Sequence, residues 1–570
     1  MEKMVYNIRD ILTFRDLIGG SAELYGDLCA FTFREGDGVR QITYGEAYSD
    51  VRAFAAYLNS LGLNGKKVGV MGKNGYAWAL TYLAVTCGVG VIVPIDRELK
   101  AEELRHVVEH SELSAIVYLP DVADKVENLP GDFLRLSTAS LKEYIAAGET
   151  LRAMGDTSYE QHHVDPHEMS ILLYTSGTTG LAKGVMLSQY NICSNIMNVL
   201  RRISVGPEDR LLSILPLHHT YECMAGFLAP IYAGASVAYN DSLRRLTEDF
   251  KLFSPTVLVA VPLVLETLRN NIIKRYGKIK GGNALLAVQR RVSDAARVLH
   301  PDAGRKIFST VSDAFGGRLT RILSGAALLP EHVHRDMERF GFKVYIGYGL
   351  TETSPVCIMH NDFYRSPDDI GYPIVGGQAK LVDPDENGVG ELAYRGANVM
   401  LGYYKNPEET EKVLRDGWFH TGDLARVKEN GAYQITGRKK SMIVTQNGKK
   451  IFPEELEFYL AQSDVVAECM VYGEEGEHDV VVTAAVYPNY PVIEERLVGE
   501  GIHPGDDNYD SRVREIITKA VKEVNEKLPS FRRIMKIYIR KTEFVKTTTR
   551  KIKRTDENRG EGARRIQITK

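Results

Sequence analysis

The sequence predicts an α/β protein with largely parallel sheets, followed by a smaller α+β unit. Three observations carry that expectation. Helical patterns alternate with short apolar strand patterns through the first part of the chain. The 570 residues are too many for one hydrophobic core, and chains of this length divide into about three or four core-sized units. The alternation changes character after residue 395, where Gly, Tyr, Asp and Asn accumulate, and again after Pro453.

Taken in order, residues 51–61 read as a helix and 67–71 as a strand, then 101–110 as a helix and 114–119 as extended chain. Residues 75–95 carry no charged side chain and are long enough to span a bilayer. Gly88, Gly90 and Pro94 interrupt that run, and Thr81 and Thr86 lie inside it. A buried helix to Thr86 and a strand over 89–93 are therefore expected instead of a span. Between 395 and 444 the strand candidates are 432–436 and 442–444. After Pro453 come a helix over 454–461, strands over 467–472 and 479–487, and a helix over 512–528. The polar run Arg438, Lys439, Lys440, Ser441 separates these regimes and sets the expected domains, residues 1–439 and 440–570.

The composition, 44% hydrophobic and 25% charged, is that of a soluble globular protein. The six cysteines stand singly, without a CxxC pair or a zinc spacing, so a reducing, cytoplasmic setting is expected. The first ten residues are charged and lack an apolar signal core. Net charge is −3, but residues 531–570 hold 14 Lys and Arg against four Asp and Glu, which leaves the first 530 residues at −13. A tail of net +10 suits phosphorylated ligands or peripheral contact with an anionic membrane at its inner face. Nucleic acid is not an expected partner, and no pattern specifies an oligomeric state.

The segments that carry chemistry follow one another along the chain. An apolar strand candidate, 170–174, runs into Thr175, Ser176, Gly177, Thr178, Thr179 and Gly180, with Lys183 close behind. Glycines let backbone N–H groups approach an anion, hydroxyls add donors and the lysine adds positive charge. The spacing G-x-x-x-x-G-K-[ST] does not occur, so this is not a Walker loop. In YIGYGLTETSP, Gly347, Tyr348 and Gly349 lead to Thr351 and Glu352. A tyrosine ring can stack on a purine, a threonine can bond a phosphate oxygen, and a carboxylate can hold magnesium. SGAAL supplies Ser324, Gly325 and Ala326; GWFHTGDL presents Asp423 on a glycine turn; TGRKKSMI offers Arg438. QNGKKIFPEELE sets Gly448 ahead of a helix start, EFVKTTTRKIKR contains Lys551, and LPLHHTYE contains His219. Each segment alone is also compatible with an ordinary surface turn.

Together and in this order, over residues 20–555, these segments resemble those of the adenylate-forming superfamily, which includes acyl-CoA synthetases, luciferases and peptide-synthetase adenylation domains. The resemblance implies a large N-terminal domain of stacked α/β subdomains with a small β-barrel-like subdomain, and a small mobile α+β C-terminal domain. It implies that the loop 175–180 and Lys183 hold the phosphates of ATP. The SGAAL backbone reads the adenine edge, Tyr348 stacks on adenine, Thr351 contacts the α-phosphate and Glu352 binds Mg²⁺. Asp423 and Arg438 contact the ribose, Lys440 is the hinge, Gly448 lies beside the tunnel for coenzyme A, and Lys551 is the adenylation lysine. LPLHHTYE resembles a segment of fatty-acyl-CoA synthetases that flanks the acyl pocket, with His219 at the motif position. Two residues depart from the family pattern: Ala182 stands where Pro is usual, and Arg550 where Gly is usual. The implied activity is ATP-dependent conversion of a fatty acid, medium to long in chain, to acyl-AMP and then to acyl-CoA, as in bacterial long-chain enzymes. An aryl or bile-type acid, an acyl-carrier-protein acceptor, and an ATP-binding homologue without turnover are the alternatives.

Overall fold

The computed structural model describes residues 6–175, 182–300, 302–444, 450–476, 480–546, 552–554, 558–559 and 564–567. The chain forms two compact units. One comprises residues 1–329, 333–379 and 394–420, and the other 330–332, 380–393 and 421–570.

The first unit contains two predominantly parallel sheets. In the nine-stranded sheet, Lys343–Gly349, Arg321–Ser324, Val257–Ala260, Arg210–Ser213, Ser236–Tyr239 and Cys29–Glu35 are parallel neighbours. Antiparallel strands finish its edges, Gly38–Thr43 on one side and Val356–Met359 with Tyr372–Pro373 on the other. In the seven-stranded sheet, Met169–Thr175, Val91–Ile95, Lys67–Met71, Ala115–Tyr118 and Leu134–Ser137 are parallel. Lys183–Ser188 and Gly402–Tyr403 extend it antiparallel.

Parallel sheets must be covered on both faces, which makes their helices apolar. Helix Tyr76–Gly88 shows this most strongly, since every residue in it except Ala77 is buried. The uncharged run is thus core, and no described helix is long and apolar enough to cross a membrane. The strand after it begins at Val91 because the backbone N–H groups of Val89 and Gly90 both donate to the Val85 carbonyl (3.0 and 2.8 Å). Those two residues finish the helix instead of starting the strand. Helix Tyr44–Ser60 starts earlier than its apolar period suggests. Thr43 accepts from the Glu46 N–H, and the Glu46 carboxylate accepts from the Thr43 N–H, which closes a capping box.

The expected barrel-like subdomain is an open sheet. Gln378–Val382, Gly390–Arg395, Trp418–Val427 and Leu414–Arg415 lie in that order, and Tyr433–Arg438 also pairs with Trp418–Val427. The ten-residue strand Trp418–Val427 is shared by its neighbours, and the edge strands, five and two residues long, do not meet to close a ring.

In the second unit Val466–Glu475, Val480–Pro488, Lys536–Ile539 and Arg564–Gln567 form a four-stranded mixed sheet. Helices Pro453–Leu460, Tyr490–Val498 and Tyr509–Glu526 contribute to its core, with Leu456, Ile493, Leu497, Ile517 and Val521 inaccessible to solvent.

Candidate functional site

Ligands of open α/β sheets bind beyond the carboxyl ends of the parallel strands. In the nine-stranded sheet, Ser324 and Gly349 end two adjacent parallel strands, so the SGAAL and YGLTETSP segments emerge side by side. Ser324 is buried, and its hydroxyl has no hydrogen-bond partner among the described residues. Gly325 lies against the Tyr221 ring, where a Cβ would come within 2.9 Å of ring carbon. Ala326 follows in the left-handed region at φ 69°, a cost usually kept where function needs it. Tyr348 is half-buried on the neighbouring strand. Gly349 admits no side chain, because a Cβ would sit 1.7 Å from the Pro355 carbonyl oxygen.

Thr351–Thr353 form one turn of 3-10 helix that displays half-buried Thr351 and Glu352. Buried Asn398 clamps this turn, donating to the carbonyls of Thr353 (2.7 Å) and Val356 (3.0 Å). The Tyr403 hydroxyl donates to Glu352 Oε1 at 2.8 Å, and among the described residues the other carboxylate oxygen accepts no hydrogen bond. Magnesium is commonly held by one or two carboxylates together with substrate phosphates. A single carboxylate with a free oxygen fits that mode. Among the described residues no cluster of three or more His, Cys, Asp or Glu could hold a metal by itself.

Thr175 and Lys183 face each other as the last registered pair of two antiparallel strands. Ser176, Gly177, Thr178, Thr179 and Gly180 lie outside the described residues. The Lys183 ammonium binds Glu409 and sits 5.3 Å from the centre of the Tyr403 ring. Hydrogen bonds from Lys183 and Lys412 hold the Glu409 carboxyl down at about 2. Tyr403 thus touches both Glu352 and Lys183, which are 169 positions apart in the chain.

The LPLHHTYE segment enters a seven-residue π-helix, Glu222–Leu228, a wide turn that is rare and frequent at functional sites. His219 is half-buried and lies against His218, with ring centres 4.2 Å apart and planes inclined at 51°. His218 is buried, and burial pushes its pKa down to about 3, so it is neutral near pH 7. Glu222 has no exposed surface. Burial pushes it up to about 8, with Ser213 offsetting part of the rise. The sign follows directly. A carboxyl raised from an ordinary value of about 4.5 binds its proton more tightly folded than unfolded, so stability is fully present below pH 4.5 and is lost as pH rises towards 8. The expected result is a loss of about tenfold in the folding constant per pH unit across that window, removed by Glu222→Gln. Urea unfolding from pH 5 to 8 checks it; parallel curves for the two proteins would count against a buried neutral Glu222.

In the second unit, Asp423 and Arg438 are cross-strand partners, with Arg438 Nε 3.0 Å from the buried Asp423 carboxylate. The Asp423 N–H donates to the Thr421 hydroxyl, and Gly422 takes φ 71° to make that turn. Lys440 is exposed in the turn after Tyr433–Arg438. Gly448 and Lys551 lie outside the described residues. Residue patterns did not point to Tyr403, Glu409, Asn398 or Tyr221. The Gly-Tyr-Tyr-Lys-Asn stretch at 402–406 was the available signal for the first of these.

Known proteins match this architecture. Residues 20–404 match the model of the AMP-binding enzyme family, and residues 440–559 that of the AMP-binding enzyme C-terminal domain. A long-chain-fatty-acid–CoA ligase of Mycobacterium bovis is 30% identical over 556 residues, which cover 91% of this chain and 90% of the relative. A chloroplastic long-chain-fatty-acid–acyl-carrier-protein ligase of Arabidopsis thaliana is 29% identical over 83% of this chain and 76% of its own length. Among solved structures, an anthranilate–CoA ligase in complex with anthranoyl-AMP superposes with a TM-score of 0.74 at 20% identity. It covers 97% of this chain and 96% of the ligase, and at that identity the match speaks for the fold. With both family models matched in sequence along nearly its whole length, the chain belongs to the AMP-binding enzyme family.

Proposed function

We propose that the protein activates a medium-to-long-chain fatty acid with Mg-ATP to acyl-AMP and pyrophosphate, then transfers the acyl group to coenzyme A and releases AMP. The observation that carries this reading is the convergence at Tyr403, which bonds Glu352 and lies under Lys183. A carboxylate suited to magnesium and a lysine suited to phosphate are thereby held in one place. The long-chain specificity of the relatives supports the choice of acid.

A carboxylate alone is a poor acyl donor, because oxide would have to leave. Attack of its oxygen on the α-phosphorus of ATP forms the mixed carboxylic–phosphoric anhydride of acyl-AMP and breaks the bond to pyrophosphate, which leaves. The protein's part is positioning and charge neutralisation. Thr175 to Gly180 and Lys183 hold the phosphates, Ser324, Gly325, Ala326 and Tyr348 hold the adenine, and Asp423 and Arg438 hold the ribose. Thr351 contacts the α-phosphate, His219 borders the acyl pocket, and Glu352 would hold a magnesium ion, which would offset phosphate charge. Lys551 bridges the carboxylate and the α-phosphate. A C-terminal domain from residue 440 then pivots at Lys440, which withdraws Lys551 and brings Gly448 to the tunnel for coenzyme A. The setting is cytoplasmic, with the basic tail in peripheral contact with an anionic membrane face.

AMP release measured across a series of acids with CoA present tests the proposal. kcat/KM is expected to rise about fourfold per methylene, the equivalent of about 0.8 kcal/mol, until the pocket is full. ADP as product, or a flat dependence on chain length, would overturn it. The relative that acylates a carrier protein supports a second reading, in which holo-acyl-carrier protein replaces CoA in the same assay.

A further inference from the structure

Helices Pro262–Gly277 and Gly282–Arg297 form a hairpin in the first unit, and the second helix is amphipathic in the wrong direction for a protein in water. Its polar side faces the protein. Ser293 donates to the Arg339 carbonyl at 2.8 Å, Gln289 donates to the Ile307 carbonyl at 2.9 Å and accepts from Tyr276, and Arg290 and Arg297 pair with Asp336 and Glu338. Its apolar side faces outward. Ile279, Leu285, Val288, Val292, Val298 and Leu299 are between 48% and 83% exposed. Leu285, Val288 and Val292 recur at helical spacing, so they form one stripe, which Val298 and Leu299 continue past the helix end.

The charge around this stripe has one sign. Residues 267–293 contain seven Lys and Arg and no Asp or Glu, in a chain whose net charge is −3. Arg269 and Arg290 are used up on buried Asp336. Among the described residues, Lys274, Arg275, Lys278 and Lys280, at the tip of the hairpin beside Ile279, have no ion-pair partner, and neither does Arg291 on the outer face. An exposed apolar stripe bordered by unpaired cations is the arrangement that binds the surface of an anionic bilayer. The apolar groups enter the acyl boundary, and the cations are drawn to the anionic headgroups.

We propose that this hairpin docks the protein on an anionic lipid surface, by contacts separate from the basic C-terminal tail. The benefit to function rests on the fatty-acid reading above. A long-chain acid partitions into bilayers, since every methylene buried there leaves water, so an enzyme held at the surface meets its substrate where it is concentrated.

Cosedimentation of the full chain with vesicles of phosphatidylcholine alone, and with phosphatidylglycerol added, tests the proposal. Binding is expected to require phosphatidylglycerol and to weaken with added NaCl. Lys274→Glu/Lys278→Glu/Lys280→Glu and Leu285→Ser/Val288→Ser/Val292→Ser should each weaken it by roughly tenfold or more, although the tail is intact in both. These positions are exposed, so circular dichroism should be unchanged. With acid delivered on albumin, AMP formation should match the parent, while with acid delivered in anionic vesicles it should fall. Vesicle binding that survives both variants overturns the proposal. So does a concentration-dependent dimer, seen by sedimentation velocity without lipid, that the serine variant dissolves while vesicle binding is absent. Vesicle binding without fatty-acid turnover would retain the docking surface and remove the proposed substrate.

Discussion

Replacing Lys551 with alanine lowers acyl-AMP formation by about 10²- to 10³-fold, the usual effect of removing one group that stabilises charge in the transition state. Transfer from supplied acyl-AMP to CoA stays near the parent rate, because the lysine is needed only in the first half-reaction. Lys546 is nearly enclosed and already bound by Glu468 and Glu543. Burial opposes its charge, but those two carboxylates more than offset this and raise its pKa. Lys546 and Ile552 are bridge partners, and the Lys553 N–H donates to the Val545 carbonyl at 2.9 Å. Lys546→Ala and Lys553→Ala therefore act weakly in the first step. Lys440→Pro gives the mirror image, since a fixed φ at the pivot leaves adenylation and hinders transfer. Pyrophosphate release and CoA consumption, measured separately, check both variants. Equal damage to adenylation from Lys546→Ala or Lys553→Ala would assign the wrong lysine.

Features set by neighbours along the chain were legible in the sequence, and features set by distant partners were not. Strand Lys67–Met71 was expected at its observed bounds, because a short apolar run there is closed off by lysine on one side and glycine on the other. Helix Tyr44–Ser60 was expected seven residues too late, because its start is written in the Thr43–Glu46 cap rather than in its apolar period. The hairpin Pro262–Gly277 and Gly282–Arg297 escaped notice for a related reason. Its outward face is apolar, so periodicity alone could not say which side was buried.

The same division holds for the candidate site. The SGAAL and YGLTETSP segments could be read as strand ends running into turns, and the two strands proved to be adjacent in the sheet. The residues that hold these segments in place could not be found that way. Glu409 lies 226 positions from Lys183, and Tyr403 lies 51 from Glu352. Nor could burial be read at single positions. Glu222 looked like the polar end of a motif, yet it sits on a π-helix with no exposed surface, where its carboxyl is held neutral.

The Tyr403–Glu352 contact also separates charge from position at the candidate magnesium ligand. Glu352→Gln keeps an oxygen that accepts from the Tyr403 hydroxyl, so the 3-10 turn and its Asn398 clamp should survive. What is lost is the negative charge that a hard cation needs from its oxygen ligand. The expected outcome is a fall of about 10²-fold in acyl-AMP formation, with half-saturation moved to markedly higher Mg²⁺ and an unchanged melting temperature. Tyr403→Phe does the opposite, since it removes the 2.8 Å hydrogen bond and leaves the carboxylate charged. Loss of one hydrogen bond to a charged group, about 1.5–3 kcal/mol, bounds its effect at roughly a hundredfold. A smaller loss is expected, because the freed carboxylate can still reach a cation. Glu352→Asp keeps the charge but withdraws it by one methylene, and should fall between the two. Magnesium titrations of pyrophosphate release for the three variants check this order. If Glu352→Gln keeps the parent's magnesium dependence, Glu352 does not hold the metal, and its bond to Tyr403 serves only to brace the turn.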